Sequence, residues 1–69
     1  MEEFKLEKNA FIELNNLLKV MGLCATGGMA NTMISQGQVI VDGNVELRKR
    51  CKIRPGQIIE FEHQKIIVK

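Results

Sequence analysis

The 69-residue sequence predicts an α+β fold, a two-helix hairpin packed on a small, mostly antiparallel β-sheet. Three observations carry this. Apolar residues keep helical spacing from Leu14 to Ile34, short β-branched runs replace that spacing after Gly37, and turn signals at Asp42-Gly43 and Arg54-Pro55-Gly56-Gln57 separate the runs. A chain this short buries only about 60% of the surface that its unfolded form exposes. The 45% of residues that are hydrophobic are therefore needed for one core, and a single domain is expected over residues 1–69.

Glu3–Glu7 alternates polar and apolar residues, which predicts a short strand with Phe4 and Leu6 on one face. Leu14, Leu17, Leu18 and Met21 form the stripe of a first helix, with Asn15, Asn16 and Lys19 outward and Gly22 as the stop. Thr26 is a suitable N-cap for a second helix, whose stripe of Met29, Ala30, Met33 and Ile34 runs to Gly37. In so small a protein Met21, Met29 and Met33 are expected in the core, although methionines also suit an adaptable binding groove.

Val39–Val41 and Val45–Leu47 flank Asp42-Gly43-Asn44 and predict a hairpin. Pro55 and Gly56 occupy the central positions of a type II turn. Strands are then expected at Ile58–Glu62 and Lys65–Lys69, joined around His63-Gln64. Glu60 and Glu62 are expected on one solvated strand face, and His63 in a turn with no nucleophile beside it, so no catalytic role is assigned.

The start is acidic and interrupted, unlike a signal peptide, and no apolar run approaches the roughly 20 residues that span a bilayer. A cytoplasmic monomer without membrane contact is expected. Cys24 and Cys51 lie far apart, with one histidine in the chain, so a metal site lacks ligands and two inert, partly buried thiols serving as small hydrophobes are expected. No cofactor is implied.

The net charge of +2 conceals a strong asymmetry. Residues 1–47 carry −3, residues 48–54 carry +5, and residues 55–69 balance. As an extended segment, the basic heptapeptide places Arg48, Arg50, Lys52 and Arg54 on one face and turns Leu47, Cys51 and Ile53 inward, with Lys49 needing a bulge. Such a ridge protects an edge strand from aggregation or grips a polyanion. Three guanidinium groups favour phosphate. If the polyanion is a nucleic acid, three Phe expected mainly in the core and no Tyr or Trp leave phosphate contact and shape recognition of structured RNA rather than base stacking.

Thr26-Gly27-Gly28 opens the second helix at a cost of around 1 kcal/mol per glycine relative to alanine, less near a helix end. Two explanations stand: exposed N–H groups that dock a phosphate, or a close approach to a neighbouring element.

Leu17-Leu18, Gly22, Thr26, Ala30, Ile34, Gly37-Gln38-Val39, Val41-Asp42-Gly43 and Pro55-Gly56 before Ile58 together resemble the S-four RNA-binding domain family, or αL motif. That family is named for a small-subunit ribosomal protein. Gly27-Gly28-Met29-Ala30, Asp42–Glu46 and Arg48–Ile53 are similar to its small stand-alone bacterial proteins of the YbcJ type.

The resemblance implies non-catalytic RNA binding by the helical hairpin and the adjacent basic sheet edge. Many relatives carry Arg and Lys where Gly27 and Asn31 stand here, and the second helix has no cation. The weight therefore shifts to Arg48, Lys49, Arg50, Lys52 and Arg54, flanked by Lys19, with Thr26, Gly27 and Gly28 as an anion-docking end. The expected partner is structured RNA, rRNA or tRNA, and with it the ribosome. A helix-turn-helix DNA binder and a protein-interaction module for an acidic or ribosomal partner are the alternatives.

Overall fold

The computed structural model describes residues 1–69. In chain order the elements are β1 (Glu2–Phe4), β2 (Ile12–Glu13), α1 (Leu14–Val20), α2 (Gly27–Ser35), β3 (Ile40–Val41), β4 (Asn44–Val45), β5 (Lys52–Ile53), β6 (Ile58–Phe61) and β7 (Gln64–Val68). Five strands form one sheet in the order β1-β7-β6-β3-β4, and β2 and β5 form a separate antiparallel pair. Only the β1–β7 pairing is parallel, so the sheet is mostly antiparallel, with the two helices packed on it.

Local chemistry accounts for each turn. Asp42 and Gly43 have φ of 50° and 84°, the type I′ geometry that suits a two-residue hairpin, and Val41 pairs with Asn44 across it. Gly56 has φ of 95° and the Gln57 N–H donates to the Arg54 carbonyl at 3.2 Å, which is the predicted type II turn. The last hairpin turns at Glu62-His63, one residue earlier than expected, both with positive φ. Glu62 is thus a turn residue and does not share a strand face with Glu60.

Asp42 also ties two turns together. Its carboxylate accepts from the Ile58 N–H at 2.9 Å and the Gln57 amide at 3.0 Å, while the Gln57 oxygen accepts from the Arg54 N–H at 2.8 Å. These bonds stabilise the ionised carboxylate and hold its pKa below the usual range, the Ile58 bond contributing most.

The core joins both helices to the sheet through Leu14, Leu17, Leu18, Ala30, Ile34, Val39, Ile53, Ile59 and Val68, all fully buried. Met21 and Met33 pack against this cluster, but Met29 is 45% exposed and is not core as expected. One residue earlier in the stripe than Ala30, it falls on the solvent side of α2. Among the aromatic residues Phe61 is buried and Phe4 packs on the core, whereas Phe11 stands half-buried at the surface.

The basic segment departs most from expectation. It is not one extended ridge: the Cys51 N–H donates to the Arg48 carbonyl at 3.1 Å, closing a turn over Arg48–Cys51, and only Lys52–Ile53 is strand. The inward face predicted for Leu47 also fails, since this side chain is 60% exposed. Ile53 is fully buried and Cys51 half-buried, as the alternation requires.

Candidate nucleic-acid interface

The turn and the short strand are placed by backbone bonds to the start of α1. That helix has no side-chain cap. Instead, the Leu14 N–H donates to the Cys51 carbonyl at 2.9 Å and the Asn15 N–H to the Lys49 carbonyl at 3.0 Å. Two of the N–H groups that every helix start leaves unpaired are thereby satisfied, and the basic turn is fixed against α1.

From the turn the surface continues across α1 to α2. Lys19 and Gly27 line one polar hollow together with Glu13, Asn15 and Asn16. The Asn15 amide donates to the Asn31 side chain at 2.9 Å, so Asn31 clamps the two helices. Thr26 caps α2 as predicted, accepting from the Met29 N–H at 3.1 Å. No heavy atom stands within 4 Å of where a Cβ would sit at Gly27, and at Gly28 only Thr26 Oγ1 does, at 3.9 Å. Close packing therefore does not explain the glycine pair, and the start of α2 is uncovered.

The five cations of the basic segment differ in their partners. Arg48 grips the Glu46 carboxylate with two donors, Nε at 3.0 Å and Nη2 at 3.2 Å, while its own backbone N–H donates to the same carboxylate at 3.0 Å. These bonds hold the Glu46 pKa at about 2. Arg50 Nε donates to Glu13 at 3.0 Å. Lys52 and Arg54 instead lie over the Phe11 ring, 5.0 and 5.7 Å from its centroid. Lys49 has no salt-bridge partner, and neither does Lys19.

Strand register explains the Phe11 arrangement. Ile12 pairs with Ile53 and Glu13 with Lys52, which places Phe11 opposite Arg54. Ile12 and Ile53 point inward, so Phe11, Glu13, Lys52 and Arg54 share the outer face of the β2–β5 pair. Each cation over an exposed ring gains roughly 0.5–1 kcal/mol while keeping its charge available.

A family model described as the S4 domain matches residues 4–69. The chain belongs to the S4 domain family. Its relatives include YbcJ of Escherichia coli strain K12, 49% identical over 61 residues that cover 88% of this chain and 87% of that protein. YbcJ of Shigella flexneri matches to the same extent. The solution structure of E. coli YbcJ, described as revealing an αL motif involved in RNA binding, superposes with a TM-score of 0.75 at 46% identity, covering 99% of this chain and 86% of that one. The 30S ribosomal protein S4e of Thermoplasma acidophilum, at 19% identity and a TM-score of 0.62, shares the fold over 84% of this chain and 31% of its own.

Within this S4 domain the turn of Arg48, Lys49 and Arg50 is bonded to the start of α1, Arg50 reaches Glu13, and Glu13 shares a hollow with Lys19 and Gly27; Lys52 and Arg54 stand on the outer face of the β2–β5 pair, and Thr26 and Gly28 flank Gly27. The carboxylates of Glu13 and Glu46 and the Phe11 ring belong to the same surface. The sequence contains a partial signal for Phe11, since it stands one residue before an inward Ile. It contains none for the pairing of Glu13 with Arg50, which are far apart in the chain, whereas Glu46 and Arg48 stand two residues apart.

Both thiols are free. Burial is the main cause that raises the pKa of Cys24 and of Cys51, which disfavours the reactive thiolate. No helix is long and apolar enough to cross a membrane, and no three His, Cys, Asp or Glu residues cluster as a metal site.

Proposed function

We propose that this S4 domain is a non-catalytic RNA-binding protein that recognises structured RNA, rRNA or tRNA, through its phosphates, and serves translation or ribosome biogenesis. The observation that carries this reading is a set of cations without carboxylate partners, Lys49, Lys52, Arg54 and Lys19, beside the uncovered start of α2. Phosphates engage this set directly, and the N–H groups at Gly27 and Gly28 add a dipolar anion site next to Lys19. Arg48 and Arg50 contribute by exchanging a carboxylate for a phosphate oxygen. The description of the E. coli YbcJ solution structure, an αL motif involved in RNA binding, supports RNA as the polyanion.

Four unpaired cations predict that log affinity falls with log salt at a slope of about −3 to −4. Anisotropy titration of a labelled rRNA or tRNA stem-loop at several salt concentrations measures it. A slope near zero, or equal binding by a Lys49→Glu/Lys52→Glu variant with unchanged circular dichroism, rejects the reading.

The helix-turn-helix alternative fits α2 less well. This helix has no cation, Asn31 is engaged by Asn15, and the hydroxyls of Thr32 and Ser35 donate to helix carbonyls at 3.1 and 3.0 Å. Exposed Met29, with Val45 58% and Leu47 60% exposed, favours a second reading as a protein-interaction module. Co-sedimentation with a ribosomal fraction that survives RNA digestion distinguishes this reading from the first.

A further inference from the structure

Phe11 takes part in two features. Lys52 and Arg54 lie over its ring, and it also lines an open hollow of about 370 Å³ between the end of β1 and α1. That volume lies at the lower end of the ~300–1,000 Å³ typical of small-molecule sites. Phe4, Leu6, Phe11 and Val20 supply apolar walls, and Val20 is 51% exposed. The first wall is held in place, since the Leu6 N–H donates to the Lys69 carbonyl at 2.8 Å and the Lys69 N–H to the Phe4 carbonyl at 2.9 Å.

The polar rim selects the kind of occupant. Asn9 and Asn16 line the hollow, and neither side-chain amide hydrogen-bonds within the protein. Lys5, Glu7 and Glu13 lie on the same rim, with the Glu13 carboxylate held by Arg50 at 3.0 Å. Two carboxylates against one ammonium disfavour a phosphate inside, the Glu7 carboxylate accepts from the amino and imino groups of a base edge, and an amide offers both a donor and an acceptor to such an edge. Just outside, Lys52 and Arg54 add two cations held over the Phe11 ring. A nucleotide has this same division: a flat, partly apolar heterocycle with a polar edge, joined through a ribose to an anion.

We propose that the hollow takes one unpaired RNA nucleobase against Phe11, with the adjoining phosphate held by Lys52 and Arg54. The inference rests on the RNA-binding reading above and adds recognition of a bulged or looped nucleotide within structured RNA. Unstacked bases are the part of an RNA that proteins recognise most specifically.

Two RNA hairpins with the same stem, one fully paired and one with a single 2-aminopurine bulge, test it on the full 69-residue protein. The bulged hairpin is expected to bind at least about fivefold more tightly, consistent with the stacking of one base on an aromatic ring. The side-chain amide resonances of Asn9 and Asn16 should shift with the bulged hairpin alone. Val20→Trp, at an exposed position, fills the hollow; the preference should then fall below about twofold while paired-stem affinity is kept. Equal affinity of the wild type for the two hairpins, or a bulge preference without any shift at Asn9 and Asn16, overturns the nucleobase site and leaves phosphate recognition standing. Failure to bind either hairpin rejects the RNA-binding reading and the nucleobase site with it.

Discussion

The two halves of the basic segment carry similar charge in sequence and hold it differently in the fold. Arg48 and Arg50, in the turn, are each bound to a carboxylate, Arg48 to Glu46 two residues before it and Arg50 to the distant Glu13. Lys52 and Arg54, in and just after β5, rest on an aromatic ring. A carboxylate partner neutralises a cation and must be displaced before phosphate binds, whereas a ring orients the cation and leaves its charge free. Local net charge therefore overstates what the turn offers a polyanion and states fairly what the strand offers. Exposure does not make this distinction, since the Arg48 and Arg50 side chains are 77% and 73% exposed.

The largest expected effect tests the anchoring of the two halves. Ile53 is fully buried beneath the strand cations, and Ile53→Ala should destabilise the protein by about 2–5 kcal/mol in chemical denaturation. Leu47, exposed before the turn, should change stability by less than about 0.5 kcal/mol on Leu47→Ser. Comparable losses at the two positions would break the contrast between an anchored strand and a surface turn.

The next effect concerns charge availability and is measured by the salt dependence of RNA binding. Lys52→Ala/Arg54→Ala should make the log–log slope shallower by about 2. Glu46→Gln, which releases Arg48, should make it steeper by about 1. If Glu46→Gln leaves both slope and affinity unchanged, the carboxylate does not restrain Arg48.

The smallest effect is a pH dependence. The folded-state pKa of Glu46 is about 2, below the ordinary 4.5, so its clasp stabilises the fold fully above pH 4.5 and loses that contribution as pH falls towards 2. Asp42 acts in the same direction through its bonds to Ile58 and Gln57. Between pH 4.5 and 2 the wild type should lose slightly more stability than Glu46→Gln does, and the Glu46 carboxyl resonance should titrate near pH 2. Titration near 4.5 would show that the clasp does not form in solution.

Much of the fold is legible in residue order because its determinants are local. Asp42-Gly43 and Pro55-Gly56 specify turn types through φ alone, and Thr26 caps the helix that begins one residue later. The Leu14, Leu17 and Leu18 stripe and the alternation in β6 each describe one face of one element. The exceptions lie where local pattern competes with distant contacts. Alternation alone predicts Leu47 inward and residues 48–54 extended, but the Arg48–Cys51 turn forms because the carbonyls of Lys49 and Cys51 accept from the start of α1. Those acceptors and donors are more than 30 residues apart in sequence.

By itself, the sequence determined the α+β class, the turns, most of the core, the concentration of positive charge in residues 48–54 and the likeness to the S4 domain. These depend on residue type and short spacing. The tertiary structure alone decided which cations keep their charge free, that Phe11 leaves the core to stand beneath Lys52 and Arg54, and that space is open around Gly27 and Gly28. Each of those outcomes depends on which residues meet across the β2–β5 pair and the helical hairpin, and a charge or a ring acquires its chemistry from the neighbour that it meets.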